Sequence, residues 1–156
     1  MSYENFNPKT FCDLSIYVKD KLLYNIPESL KEATNRTCIS RVYYAVFLLL
    51  REKILALPLQ DKETKKQIEG TSSAHAIVAE TIKRVDPEIG NFIINLRSLR
   101  NDADYKIDKE INEEKVEYAL KIANEILDKL DGTFNKVKEA DVVSAWHRIL
   151  AKKTSY

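Results

Sequence analysis

Apolar residues recur every three or four positions along most of the chain, the spacing typical of amphipathic α-helices. The second such stretch contains an unbroken apolar run, Val42–Leu50. This run is far shorter than the ~20 residues needed to cross a bilayer, so it predicts a central core helix. Together the patterns predict five helices and a sixth helical segment, at residues 8–24, 28–57, 74–85, 88–105, 113–130 and about 133–152.

The connections between these helices carry ordinary boundary signals. Asn7 and Pro8 begin the first helix, and Pro58 stops the second. Residues 60–73 are polar, so we interpret them as a loop with at most one helical turn. Gly132 is expected to end the fifth helix in a left-handed conformation. The last segment begins at Thr133 or Asp141 and can pack on the bundle or on a second subunit.

Composition supports a helical protein of one domain. Three glycines and four prolines in 156 residues leave few turns for a β fold, and Leu, Ile, Ala, Lys and Glu favour helices. A chain of this length is typical of a single domain. The prediction is therefore an all-α fold, an antiparallel up-and-down bundle of four to six helices spanning residues 1–156.

Charge and cysteine content exclude several classes of function. A formal net charge of +1 argues against broad coating of nucleic acid, but six of the seven arginines lie between Arg36 and Arg100, which leaves room for a local arginine site. Cys12 and Cys38 form neither a zinc motif nor a disulfide framework. The sequence has no Gly-rich phosphate loop and no His-Glu-x-x-His pair, so we predict no metal and no cofactor. The first residues lack a signal peptide, and the expectation is a cytoplasmic protein without membrane contact.

The candidate site lies near the end of the fourth helix. Arg97 and Arg100 are one turn apart and can hold a phosphate from two directions. Asp104 follows Arg100 by four residues, so it either orients or neutralises that guanidinium. Positions 100 and 105 lie roughly 140° apart around an ideal helix. Tyr105 is therefore expected to meet a ligand of Arg100 only if the helix ends between them or a second subunit contributes.

The order Arg100, Asn101, three further residues and Tyr105 resembles the signature of the HEPN superfamily. These are small helical domains found in RNA-cleaving toxins and in non-catalytic relatives. The superfamily has a histidine where this chain has Tyr105. The form Leu-Arg-Asn-x-Ala-Asp-Tyr is similar to a HEPN branch often paired with a minimal nucleotidyltransferase. Ser40–Phe47 and the helix opened by His75 also fit this branch, and the similarity spans about residues 33–127.

The resemblance implies a homodimer that cleaves RNA without metal in a cleft where two subunits meet. Arg100 would clamp the phosphate and Asn101 would orient it. Tyr105 replaces the acid–base histidine; a phenol is a poor general base near neutral pH, but it can donate a hydrogen bond or act as an acid. His75 is the candidate for neutral-pH proton transfer. The other residues expected to bind phosphate or RNA are Arg97, Arg41, Tyr44 and Asp104.

Three hypotheses stay open at this point. The first is a metal-independent endoribonuclease of the toxin–antitoxin or defence type. The second is a HEPN module without catalysis that binds a nucleotide or a nucleotidyltransferase partner; the near-neutral charge and Tyr105 favour it. The third is a helical scaffold in which Arg97 and Arg100 only form salt bridges with Asp102 or Asp104.

Overall fold

The computed structural model of the chain describes residues 6–22 and 24–153, and within these ranges it contains helices and no strand. The all-α prediction is therefore confirmed. The eight α-helices of the described residues are α1 (Thr10–Tyr17), α2 (Glu28–Leu55), α3 (Lys62–Gly70), α4 (Ala74–Val85), α5 (Pro87–Tyr105), α6 (Glu113–Asp128), α7 (Leu130–Phe134) and α8 (Glu139–Lys153). A π-helical segment, Val18–Leu22, continues α1.

The described residues group into two compact units, and each unit combines two separate stretches of chain. The first unit contains residues up to 48 together with 95–124, and the second contains residues 49–94 together with the chain from 125 onward. Helices α2, α5 and α6 each contribute residues to both units. That the chain as a whole is one domain stays a prediction.

The first unit is built on the greater part of the apolar run of α2, residues 42–48. Five of these seven residues are buried, in keeping with the core helix that the sequence pattern predicts, and α6 adds one continuous apolar face. Ser15 links α1 to α2, because its hydroxyl lies 3.3 Å from the Cys38 carbonyl. The cysteines Cys12 and Cys38 are both buried, and burial raises the pKa of the Cys12 thiol to about 11. The buried positions include Ile39, Val42, Val46, Leu96, Val116, Ala119 and Ala123.

The second unit is organised around α4, which packs against α8 and α3. Ile77 and Ile82 of α4 and Val142 of α8 are completely buried. The last helix thus packs on its own chain, one of the two possibilities that its apolar face predicts. At the start of α5, a Cβ on Gly90 would lie 2.3 Å from the Cα of Lys83. Only glycine allows the two backbones to approach this closely.

The sequence predicts four to six helices, and the two short helices α3 and α7 bring the number in the described residues to eight. The interpretation of residues 60–73 as a loop is wrong, because Asp61 caps α3 by accepting a hydrogen bond from the Thr64 amide at 2.6 Å. Thr64 and Ile68, one turn apart, are completely buried. The left-handed Gly132 is also wrong, since this residue lies inside α7 and no described glycine has a positive φ. The helix α3 is anchored by a single large apolar residue, Ile68. One such residue is too weak a pattern for helical periodicity to reveal.

None of the described helices has both the length and the apolar character needed to cross a membrane.

Candidate functional site

Arg100 is the centre of a group of polar and aromatic side chains in the first unit. Its Nη2 donates to the Tyr44 hydroxyl at 3.1 Å and to the Tyr105 hydroxyl at 3.2 Å. Tyr44 comes from α2 and is half-buried, whereas Tyr105 ends α5 and is 69% exposed. The phenol oxygen of Tyr105 accepts from arginine and still has its own O–H to donate elsewhere. The guanidinium of Arg100 and the exposed phenol of Tyr105 therefore offer hydrogen-bond donors suited to an anion.

Asp104 balances the charge of this guanidinium. Its Oδ2 lies 2.6 Å from Nε of Arg100, with both side chains largely buried at 14% and 23% exposure. The N–H direction is not that of a hydrogen bond, so the contact is an ion pair, and Nε has no hydrogen-bond acceptor in the described part of the chain. Ser40 donates to the same carboxylate oxygen at 3.4 Å. Burial lowers the pKa of Arg100, but Asp104, Tyr44 and Tyr105 together outweigh burial and hold this pKa above its ordinary value.

The aromatic rings and the arginines of this unit alternate in space. The guanidinium carbon of Arg41 lies 5.3 Å from the ring centre of Phe11 and 5.3 Å from that of Tyr44. The guanidinium carbon of Arg100 lies 5.4 Å from Tyr44 and 5.1 Å from Tyr105. Each distance is within the range of a cation–π interaction. We call this succession of Phe11, Arg41, Tyr44, Arg100 and Tyr105 the cation–aromatic row.

Two further arginines of the unit carry uncompensated charge. Arg41 and Arg97 are half-buried and make neither a hydrogen bond nor an ion pair with any described residue. Burial raises the pKa of Tyr43, and the positive charges of Arg97 and Arg100 oppose that rise. Arg97 therefore lies close enough to Tyr43 to share its surroundings. Of these three arginines, Arg100 alone has an ion-pair partner among the described residues, the carboxylate of Asp104.

Asn101 and Tyr105 contact Arg100 directly. The Oδ1 of Asn101 accepts a hydrogen bond from Arg100 Nη1 at 3.3 Å. The helical-wheel argument lets Tyr105 meet a ligand of Arg100 only if the helix ends between them or a second subunit contributes, and a shared ligand stays a prediction. The helix runs through position 105. The Tyr105 hydroxyl and the Arg100 guanidinium still contact each other, because both side chains are long and Tyr105 is the last residue of α5.

Arg36 is a residue that sequence reasoning missed. Its Nη1 donates to the carbonyls of Asp102, Ala103 and Lys106 at 3.3, 2.9 and 3.2 Å. Its Nη2 donates to the Lys109 carbonyl at 2.5 Å. The last carbonyls of a helix have no partner within the helix, so this cation caps the end of α5 that carries the site. Arg36 also forms an ion pair with Glu32, and the spacing of four residues between them is enough to predict it. No side-chain pattern in the sequence indicates the backbone carbonyls that accept hydrogen bonds from Arg36.

Asp102 does not pair with the arginines. Its carboxylate lies 2.8 Å from the ammonium groups of both Lys106 and Lys109. Hydrogen bonds from Lys106 and then from Lys109 hold the pKa of Asp102 below its ordinary value. Of the two acids in the scaffold hypothesis, the one that contacts Arg100 is therefore Asp104.

His75 belongs to the second unit, where it is half-buried in the first turn of α4. The contacts of Arg100 described above are all made by residues of the first unit. A catalytic role of His75 therefore stays a prediction. Within the described residues, no three His, Cys, Asp or Glu side chains are grouped so that they could hold a metal ion.

The described chain is all-α, and its arginine centre lies on α5. The model of the HEPN domain family matches residues 21–133, and the chain belongs to this family. An uncharacterized protein of Methanocaldococcus jannaschii is 33% identical over an alignment of 114 positions, and the match covers 66% of this chain and 65% of that protein. The chain thus spans less than two thirds of this relative. No solved structure matches the chain.

Proposed function

We propose that this HEPN protein binds phosphate groups of RNA at Arg100 and cleaves the strand without a metal ion, as an endoribonuclease of the toxin or defence type. The observation that carries the proposal is the contact of Arg100 Nη2 with two phenol oxygens, at 3.1 and 3.2 Å. One of these phenols, Tyr105, is largely exposed. A cation fixed by hydroxyl groups at the surface is suited to a phosphodiester, whose oxygens accept from both kinds of donor.

The proposed chemistry divides the work between these side chains. Cleavage needs a base for the 2′-hydroxyl, a positive charge for the phosphorane and an acid for the leaving 5′-oxygen. Arg100 supplies the charge, and Asn101 keeps its Nη1 oriented. Tyr105 donates the proton of its hydroxyl to the leaving oxygen. His75 is the candidate base, and the family resemblance implies a homodimer with the cleft where two subunits meet.

A second candidate is a HEPN module that binds a nucleotide or a nucleotidyltransferase partner without cleaving RNA. The observation in its favour is the set of side chains that contact Arg100. Its hydrogen-bond and ion-pair partners in the described chain are two phenols, an amide and a carboxylate. None of these is an imidazole. Such a centre binds phosphate as well as a nuclease does, but it lacks a neutral-pH base.

The deciding experiment is cleavage of end-labelled single-stranded RNA by the purified protein in EDTA. The variants are Arg100→Met, Tyr105→Phe and His75→Ala. Arg84→Met is the matched control, because Arg84 is an exposed arginine of α4 in the other unit. We expect cleavage by the wild type and by the Arg84 variant, and loss of at least about a hundredfold in rate for Arg100→Met, as for other groups that stabilise transition-state charge.

Binding of a non-cleavable 2′-O-methyl RNA is measured in parallel. Binding without cleavage above the Arg100→Met background, on several RNAs, would exclude the nuclease and support the second candidate. If the protein neither binds nor cleaves RNA, the scaffold hypothesis remains, in which Arg100 only joins α2 to α5.

A further inference from the structure

A small groove opens in the first unit between α1, the π-helical segment and the first half of α2. It has a volume of about 270 Å³. Most of its wall is apolar, and Leu14 and Leu30 at its edge are each about half exposed, at 50% and 51%. Arg41 supplies its charged side. The lining includes Leu14, Val18, Leu30, Ala33, Cys38 and Arg41.

Arg41 is held in place before any ligand arrives. Its guanidinium carbon lies 5.3 Å from the centres of both the Phe11 ring and the Tyr44 ring. The N–H groups of Arg41 have no acceptor among the described residues. A half-buried cation that contacts two aromatic rings and has unused donors is suited to an anion.

Arg41 is also close to the centre proposed to bind phosphate. Tyr44 lies between the two arginines, 5.3 Å from the guanidinium carbon of Arg41 and 5.4 Å from that of Arg100. The two guanidinium carbons are therefore at most about 11 Å apart. One ligand with two negative groups can contact both arginines while part of it enters the apolar groove.

We propose that the groove and Arg41 form a nucleotide subsite for single-stranded RNA. The base and ribose of one nucleotide occupy the groove, its phosphate binds Arg41, and the phosphate of the neighbouring nucleotide binds Arg100. This inference rests on the proposed function, because it assumes that Arg100 binds RNA. Proteins that bind single-stranded nucleic acid place bases on aromatic side chains and phosphates on basic ones. In this groove aliphatic side chains take the place of the rings, and Arg41 supplies the charge.

The size of the groove favours a nucleotide over a helix of a partner protein. An α-helix with its side chains is about 10–12 Å wide and rises about 5.4 Å per turn, so a single turn occupies roughly 400 Å³ or more, which exceeds the volume of the groove, about 270 Å³. This volume lies near the lower end of ordinary small-ligand sites, which are about 300–1,000 Å³. A single planar ring with its sugar fits such a space.

The test measures binding of a fluorescent 2′-O-methyl hexanucleotide, and of inorganic pyrophosphate as a probe without a base, to the full chain. Ala33→Leu fills the groove from an exposed helical position, and Ala140→Leu makes the same change on the exposed side of α8. Arg41→Met removes the charge and keeps a long side chain, with Arg84→Met as its control. We expect Ala33→Leu and Arg41→Met to weaken RNA binding by about tenfold or more, the size of one lost charge-assisted or packing contact.

Pyrophosphate distinguishes the subsite from the Arg100 centre. Ala33→Leu is expected to leave pyrophosphate binding unchanged, whereas Arg100→Met abolishes it. Full RNA affinity in both Ala33→Leu and Arg41→Met, with loss in Arg100→Met, would overturn the subsite and keep the proposed function. No RNA binding by the wild type would overturn both. Sedimentation provides a further outcome: if Ala33→Leu dissociates a dimer but leaves RNA affinity unchanged, the groove belongs to a second copy and the subsite is wrong.

Discussion

Arg36 and Arg100 both contact the C-terminal part of α5, but they use their donors in different ways. Every N–H of Arg36 has an acceptor, in the carboxylate of Glu32 or in backbone carbonyls at the end of α5 and just beyond it. Arg100 contacts side chains alone, namely two phenols, an amide and Asp104. Its Nε, and at least one of the two N–H groups of Nη1, have no acceptor in the described chain.

The difference separates a structural arginine from one that can bind a ligand. A guanidinium saturated by carbonyl groups has no donor left for a ligand, and its removal leaves several carbonyls unpaired. A guanidinium held by a few side chains is fixed in position and still has donors to offer. By this criterion Arg36 stabilises the helix end, and Arg100 is the residue that can contact a phosphate.

The largest expected effect is on stability. Arg36→Met is expected to lower the free energy of unfolding by about 2–4 kcal/mol, because four carbonyls and the Glu32 carboxylate lose a charged donor together. Urea denaturation measures this change. Arg84→Met, at an exposed position of α4, is the control and should stay within about 0.5 kcal/mol of the wild type. An equally small effect of Arg36→Met would show that the end of α5 does not depend on this cap.

The same contrast explains how much the sequence could reveal. The helical period predicts α4 with its observed bounds, residues 74–85, and places Arg100 near the end of α5. It also predicts that Asp104 meets Arg100 one turn away. The cap by Arg36 could not be predicted, because its acceptors are backbone atoms 66 to 73 residues further along the chain. Local periodicity holds no information about such a partner.

The cation–aromatic row shows the same limit. Arg41 and Tyr44 are three residues apart on α2, so their proximity follows from helix geometry. Arg100 belongs to α5, and the position of its guanidinium carbon, 5.4 Å from the centre of the Tyr44 ring, depends on how α2 and α5 pack. Sequence reasoning could name these residues as candidates from the family resemblance. It could not show that one tyrosine contacts both arginines.

The next effect is on binding. Arg100→Met is expected to weaken binding of the 2′-O-methyl RNA by about tenfold or more and to lower the free energy of unfolding by about 1–2 kcal/mol, less than Arg36→Met, since it leaves one largely buried carboxylate without its cation. Titration of labelled RNA and urea denaturation of the same preparations measure the two effects. A stability loss as large as that of Arg36→Met, with RNA affinity unchanged, would make Arg100 a second structural arginine.

A smaller effect is expected for the phenol of the site. Tyr105→Phe keeps the ring, 5.1 Å from the guanidinium carbon of Arg100, and removes the hydroxyl. We expect RNA affinity to fall by about two- to tenfold, the range of one hydrogen bond. The cleavage rate should fall further if Tyr105 is the acid. Tyr118→Phe, at a half-exposed position of α6, is the matched control. Equal RNA affinity and cleavage rate in both variants would assign the hydroxyl of Tyr105 no role.

The smallest expected effect concerns Asp102, the acid that forms no ion pair with Arg100. Hydrogen bonds from Lys106 and Lys109 keep the pKa of Asp102 low in the folded protein, so the unfolded chain binds more protons between the folded and unfolded pKa values. Asp102 therefore contributes stability above the ordinary aspartate pKa of about 4, and this contribution is lost as the pH falls through the folded value. Asp102→Asn should flatten the rise of unfolding free energy with pH in this acidic range. The change should be small, since both lysines are about half exposed.

Urea denaturation at several pH values tests this prediction, with Asp128→Asn at the exposed end of α6 as a control that keeps the slope. RNA affinity near neutral pH should be the same in Asp102→Asn as in the wild type, because the carboxylate that pairs with Arg100 is that of Asp104. Asp104→Asn removes that pairing and is expected to change RNA affinity. If instead Asp102→Asn changes it and Asp104→Asn does not, the distinction between the capped helix end and the arginine centre would not hold.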